Sequence, residues 1–163
     1  MPTFEESYLG QLVKIREITG KDYKFLLPAV RAVVRDPSGK ILFVRRKDNC
    51  KWVMTSGSQE LGETIYDCIR RETREEAGIE VTSATVMAIY DYFATPDDFY
   101  QTLHVQFLVD EWSGEVVKET DETTDARFLS VDEIRAMVPD KASLYYLDVI
   151  DDLEKFDGRV IIK

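Results

Sequence analysis

Residues Gly57–Ile79 read GSQELGETIYDCIRRETREEAGI. Gly57 and Gly62 mark the first part as a loop, since glycine tolerates sharp backbone bends. The remainder predicts a helix to about Ala77, with Gly78 placed to end it. At roughly 100° per residue, Glu72, Glu75 and Glu76 fall within an arc of about 100°. Tyr66, Ile69, Thr73 and Ala77 fall on another side at helical spacing, which suits packing on a sheet. Three carboxylates on one face repel one another by a few tenths of a kcal/mol per neighbouring pair. Arg70, Arg71 and Arg74 are local means of offsetting this, and a bound cation is another. A solvated acidic face is the competing reading of such a cluster.

Outward from this stretch, the flanks predict strands. Val30–Arg35 and Lys40–Arg46 flank the turn Asp36-Pro37-Ser38-Gly39. A turn at Asp48-Asn49 precedes a short strand at Trp52–Met54, and residues 55–63 form the glycine-bearing loop. Residues 79–93 and 102–112 are rich in β-branched and aromatic side chains and predict long strands, with a turn at Ser113-Gly114-Glu115. Ala126–Ser130 adds one strand, and 131–137 and 142–156 predict closing helices. At the start, residues 4–18 predict an amphipathic helix with Leu9, Leu12, Ile15 and Ile18 inward. The order predicts an α+β fold, a mixed β-sheet sandwiched between α-helices.

Composition agrees with one domain spanning 1–163, in which 1–20 is an extra N-terminal helix and 57–79 the informative box. The chain has 163 residues, 44% hydrophobic and 32% charged, enough for a core and a wettable surface. No apolar run approaches the roughly 20 residues that span a bilayer. Two cysteines, Cys50 and Cys68, show neither metal-type nor redox-type spacing, so a reducing cytoplasm is expected. A net charge of −10 argues against duplex nucleic acid or an anionic membrane as partner. It also makes a phosphorylated substrate hard to hold without a cation between carboxylate and phosphate.

The spacing within Gly57–Ile79 resembles the Nudix (MutT-like) hydrolase signature, G-x5-E-x7-R-E-U-x-E-E-x-G-U with U a bulky aliphatic residue. Gly57, Glu63, Arg71, Glu72, Glu75, Glu76 and Gly78 supply the fixed letters, and Ile79 the last U. One window meets these letters by chance with probability on the order of 10^-8 or below. A looser likeness runs from about Pro28 to Ile134. Two features depart from the pattern. Thr73 stands at the first U, and Met54-Thr55-Ser56-Gly57 replaces the usual Leu-Pro-Gly-Gly.

The resemblance implies a Nudix fold and a pyrophosphohydrolase that uses Mg²⁺ or Mn²⁺ to split a diphosphate bond in a nucleoside diphosphate derivative: a nucleotide sugar, ADP-ribose or a (d)NTP. It implies Glu72, Glu75 and Glu76 as metal ligands, Arg71 as their orienting cation, and Glu63 as a further ligand, orienter or base. It implies Gly57, Gly62 and Gly78 as positions of sharp bending. Hard oxygen ligands suit Mg²⁺ on independent chemical grounds. A fourth ligand is expected on the acidic loop 118–125, with Glu122 favoured over Glu119 and Asp121. Arg45 and Arg31 are candidate phosphate clamps, as is Arg46, but adjacent strand residues face opposite ways, so Arg45 and Arg46 cannot share one cleft. His104, Trp52 and the tyrosines of 90–93 read first as packing residues, and Cys68 as a small buried hydrophobe. Selectivity is expected from the loops 94–101 and 113–125, and a homodimer is open. The alternative function is a module that senses a nucleotide without cleaving it. Further rivals are a structural interaction protein, and isomerase or RNA-end chemistry on the same scaffold.

Overall fold

The computed structural model describes residues 5–20, 23–92, 100–137 and 144–163. Its elements are α1 (Tyr8–Thr19), β1 (Phe25–Val33), β2 (Ile41–Arg46), β3 (Trp52–Val53), β4 (Ser56–Ser58), α2 (Ile65–Ala77), β5 (Glu80–Tyr92), β6 (Tyr100–Ser113), β7 (Thr123–Leu129), α3 (Val131–Met137), α4 (Leu144–Lys155) and β8 (Ile161–Ile162). Two sheets form: a five-stranded mixed sheet, β4-β1-β6-β5-β8, and a three-stranded sheet, β3-β2-β7. In the larger sheet β1 runs parallel to β6 and antiparallel to β4. The expected mixed sheet between helices is present, with the smaller antiparallel sheet beside it.

β1 and β2 are buried on both faces, which explains their nearly unbroken apolar runs. Val30, Ala32, Leu42 and Val44 look toward Cys68, Ile69 and Ala77 of α2. Their neighbours Val33, Ile41 and Phe43 look the other way, into a cluster with Ile134 of α3 and Val149 and Ile150 of α4. Helices therefore cover both sides of the strands. The Asp36–Gly39 turn joins β1 to β2, and with them the two sheets. Asp36 Oδ1 accepts from Ser38 N at 2.9 Å and Lys40 N at 3.0 Å. β5 and β6 pair antiparallel along most of their length, with register shifts in β5. The shift between Val86 and Ala88 accounts for burial of both Met87 and Ala88.

Three expectations need correction. The first helix starts at Tyr8, because Ser7 Oγ caps it by accepting from Gly10 N at 3.0 Å. Of its apolar stripe Leu12 is buried, whereas Ile15 is 42% and Ile18 85% exposed. Residues 55–63 contain the short strand β4, held by its ladder to β1. A last strand, β8, pairs parallel with β5 and was not visible in so short a segment. Residues 94–99 of the expected selectivity loop lie outside the described residues. Among the described residues no helix is long and apolar enough to cross a membrane.

Candidate active site

The acidic face of α2 is aimed by both ends of that helix. At the start, Thr64 Oγ accepts from Asp67 N at 3.1 Å and the Asp67 carboxylate accepts from Thr64 N at 3.2 Å, a reciprocal cap. At the end, Gly78 takes φ 72° and its N–H reaches Arg74 O. Between them, Cys68, Ile69, Thr73 and Ala77 pack inward. Thr73 satisfies its hydroxyl on Ile69 O at 2.8 Å, so threonine at an aliphatic position leaves no bare polar atom.

Arg71 organises the carboxylates. Its guanidinium makes a two-bond fork to Glu63, Nε to Oε2 at 3.0 Å and Nη2 to Oε1 at 2.7 Å. Nη1 donates to Glu72 Oε1 at 2.7 Å and to Glu75 Oε2 at 3.1 Å, and Nη2 also reaches Ser58 O at 3.1 Å. Burial acts to raise the pKa of Glu63, but the Arg71 hydrogen bonds and the Glu60 N–H outweigh it and hold the group lower than usual.

Glu72, Glu76 and Glu122 each bring a carboxylate oxygen within 4.8 Å of the others. Glu72 and Glu76 are buried, and Glu122 closes the group from the loop before β7. The Glu122 backbone is fixed by Lys47 N donating to Glu122 O at 2.8 Å. Glu76 Oε2 accepts from Ser56 N at 2.9 Å, and Arg46 Nη1 lies 3.7 Å from Oε1. Burial pushes the Glu72 pKa up to about 7; the Arg71 charge works against this, while Glu75 and Glu122 add to it. Glu76 is pushed well up, by burial first and by the Glu72 charge second. Buried carboxylates this close cannot all ionise cheaply alone. The donor set of hard oxygens fits a divalent ion such as Mg²⁺ or Mn²⁺.

Gly57 supplies the room. A Cβ there would lie 1.9 Å from Glu72 Oε1. Gly57 sits in β4 without a positive φ, so close approach rather than the expected bend requires glycine here. Gly62 and Gly78 do take the left-handed region, with φ 91° and 72°.

A cleft of about 450 Å³ opens over these groups, lined among others by Glu72, Glu75, Glu122, Arg71, Arg46 and Lys47. Glu75 borders it but stands outside the close trio, held on Arg71. Glu63 stays behind Arg71, and Asp121 joins the rim. Of the two neighbouring arginines, Arg46 faces the cleft. Arg45 is exposed and donates to Cys50 O at 3.3 Å, so the expectation at Arg45 passes to Arg46. A register shift between Arg45 and Arg46 sets which one turns inward, and no residue pattern announces it. Arg31 does not line the cleft. It is buried on the α4 side of β1, under the Tyr146 ring. His104, Trp52 and the tyrosines are likewise absent from the lining. Sequence reasoning missed Ser7 and Leu9, which bring the start of α1 to the cleft; Tyr8 N donates to Glu60 Oε2 at 2.6 Å.

Comparison with known proteins agrees with this architecture. The NUDIX domain family matches residues 26–149. The chain is 29% identical over 119 residues to the NAD-capped RNA hydrolase NudC of Vibrio vulnificus, covering 72% of this chain and 43% of that protein. It thus spans less than half the length of that relative. It is 27% identical over 139 residues to the ADP-ribose pyrophosphatase of Methanocaldococcus jannaschii, covering 80% of this chain and 78% of the other. The crystal structure of the MutT protein from Methanosarcina mazei superposes with a TM-score of 0.65 at 23% identity, covering 82% of this chain and 94% of that one, a likeness of fold.

Proposed function

Because the chain belongs to the Nudix hydrolase family, we propose that it is a pyrophosphohydrolase that splits the diphosphate linkage of a nucleoside diphosphate derivative, assisted by Mg²⁺ or Mn²⁺ on Glu72, Glu76 and Glu122. The observation that carries this reading is the meeting of three carboxylates, two of them buried, beneath a cleft. A bound divalent ion would offset their repulsion, neutralise phosphate charge and make water more acidic. The chain's own residues divide the remaining work. Arg71, locked by Glu63, holds Glu72 and Glu75 in fixed orientations. Ser56 N–H fixes one oxygen of Glu76, whose carboxylate joins Glu72 and Glu122 in the trio. Glu75 borders the trio and is placed to accept a proton from water or to add a ligand. Arg46 and Lys47 at the rim offer positive charge to substrate phosphates in an otherwise acidic cleft.

The test is turnover of ADP-ribose, nucleotide sugars and (d)NTPs with Mg²⁺. Glu72→Gln and Glu76→Gln should each lower kcat by more than about 100-fold, the upper end of what losing a supporting partner of a metal ligand costs. Undiminished activity in both variants would overturn the assignment. Binding of these compounds at saturating metal without any hydrolysis would instead favour a sensing module.

A further inference from the structure

Arg31, Gln106 and His104 lie together on the α4 side of β1 and β6, outside the acidic cleft. The strand register sets Arg31 opposite Gln106 and Ala29 opposite His104. Arg31 Nη1 lies 3.4 Å from Gln106 Oε1 and 3.4 Å from the Tyr92 hydroxyl. The Tyr146 ring covers the guanidinium with its centroid at 4.8 Å, and Tyr92 meets His104 edge-on at 5.2 Å. Arg31 is 6% exposed and Gln106 0%, whereas Tyr92, His104 and Tyr146 are half-buried.

Three polar atoms here are left without partners. Arg31 Nε, Gln106 Nε2 and His104 Nδ1 are buried without a hydrogen-bond partner. Among the described residues no carboxylate pairs with Arg31; its hydrogen-bond acceptors are an amide and a phenol. A buried charge left alone costs more than a buried neutral donor left bare, because desolvating an ion is the larger penalty. The Tyr146 face returns only part of this. The larger unmet demand is therefore for negative charge. His104 adds no competing charge: burial first, and the Arg31 charge second, bring its pKa down to about 3. Tyr146 links this cluster to the acidic centre, since it feels Glu76 and Arg46 as well as Arg31.

We propose that Arg31, Gln106 and His104 form a second recognition point, which takes a phosphate or carboxylate of the substrate outside the linkage that is cleaved. Assigning that anion to the substrate rests on the diphosphate-cleaving reading; anion binding at Arg31 does not.

His104 is the chain's one histidine, so its ring proton gives a single resolved histidine signal by NMR. The full chain in EDTA is titrated with inorganic phosphate and, separately, with adenosine. Phosphate should move the signal saturably, Arg31→Gln should weaken that response at least tenfold, and adenosine should leave the signal in place. A signal that ignores phosphate, or that responds equally in Arg31→Gln, overturns the proposal. A stronger response to adenosine also overturns it, because the donors would then be reading neutral acceptors. A structural Arg31 predicts that Arg31→Gln loses thermal stability and keeps the full phosphate response. Should Arg31→Gln not fold, Gln106→Leu removes one donor and keeps the charge; an unchanged response there overturns the site. The Glu72→Gln/Glu76→Gln double variant should keep the phosphate response while losing hydrolysis, which separates failure of this proposal from failure of the functional reading. A methylene-bridged nucleoside triphosphate with Mg²⁺ should compete with phosphate at His104. Binding of both without competition overturns the assignment to the substrate.

Discussion

Gly57 shows how one absent side chain can place a carboxylate. Adding a methyl would put a carbon 1.9 Å from Glu72 Oε1, and the yielding partner is the end of a flexible side chain rather than backbone. Gly57→Ala should therefore keep the fold while displacing Glu72. We expect metal affinity, measured by titration calorimetry with Mn²⁺, to fall at least tenfold, with Tm within a few degrees of the parent. Loss of the folded state, or unchanged affinity, would contradict this. Glu72 also sets a pH dependence. Its pKa is raised in the folded chain to about 7, chiefly by burial, from an ordinary carboxylate value near 4.5. The folded state then binds this proton more tightly than the unfolded one. The contribution is fully present below about pH 4.5 and is lost as pH rises through about 7. In EDTA, Tm should fall between these values more steeply for the parent than for Glu72→Gln, which cannot titrate there. Mn²⁺ should oppose the parent's fall toward pH 7, where the carboxylates are ionised and the ion binds best. Equal slopes in parent and variant would refute the shift.

At the scale of elements, α2 is the part that the sequence specified most fully, and its ends are where it is most vulnerable. Gly78 holds φ 72°, and a Cβ there would lie 2.5 Å from Val117 Cγ2. Gly78→Ala should cost about 1–3 kcal/mol through backbone strain and this clash. Thr64→Ala, which removes the cap, should cost about 1 kcal/mol. Denaturant titrations check both, and a Gly78→Ala chain as stable as the parent would rule out the left-handed cap. Gly78 was legible because helix ends are decided by short-range hydrogen bonds and sterics, and the same kind of local bonding makes the cap at Thr64 and Asp67. The Asp36–Gly39 turn was legible for the same reason. What escaped depends on distant partners. Ser56–Ser58 has no strand-forming composition, and β1 makes it a strand by pairing. Arg46 rather than Arg45 faces the cleft because of a register shift against β7. Periodicity sent Ile15 and Ile18 inward, but the body of the molecule meets only the earlier part of α1. Arg31 was legible as a cation on a strand; its position on the far side of β1 required the strand order.

For the molecule as a whole, charge decides the response to metal. The chain carries a net charge of −10, and three of its carboxylates converge on one point with two of them out of water. Self-repulsion on this scale lowers the stability of the compact state. A divalent ion that binds the folded trio and not the unfolded chain stabilises by mass action, about 2.7 kcal/mol at a hundredfold excess over Kd. For a chain of this length each kcal/mol moves Tm by roughly 2–4 °C. Saturating Mg²⁺ or Mn²⁺ should thus raise Tm by about 5–10 °C. Part of any such rise could come from screening, which acts on all exposed charges and follows ionic strength. NaCl at matched ionic strength measures that part, and it should be the smaller one because Glu72 and Glu76 are buried beyond the reach of screening. In the Glu72→Gln/Glu76→Gln double variant the divalent ion should do no more than the salt. If the parent chain responds equally to Mg²⁺ and to NaCl, the converging carboxylates do not hold an ion, and the metal-assisted reading of the cleft fails with them.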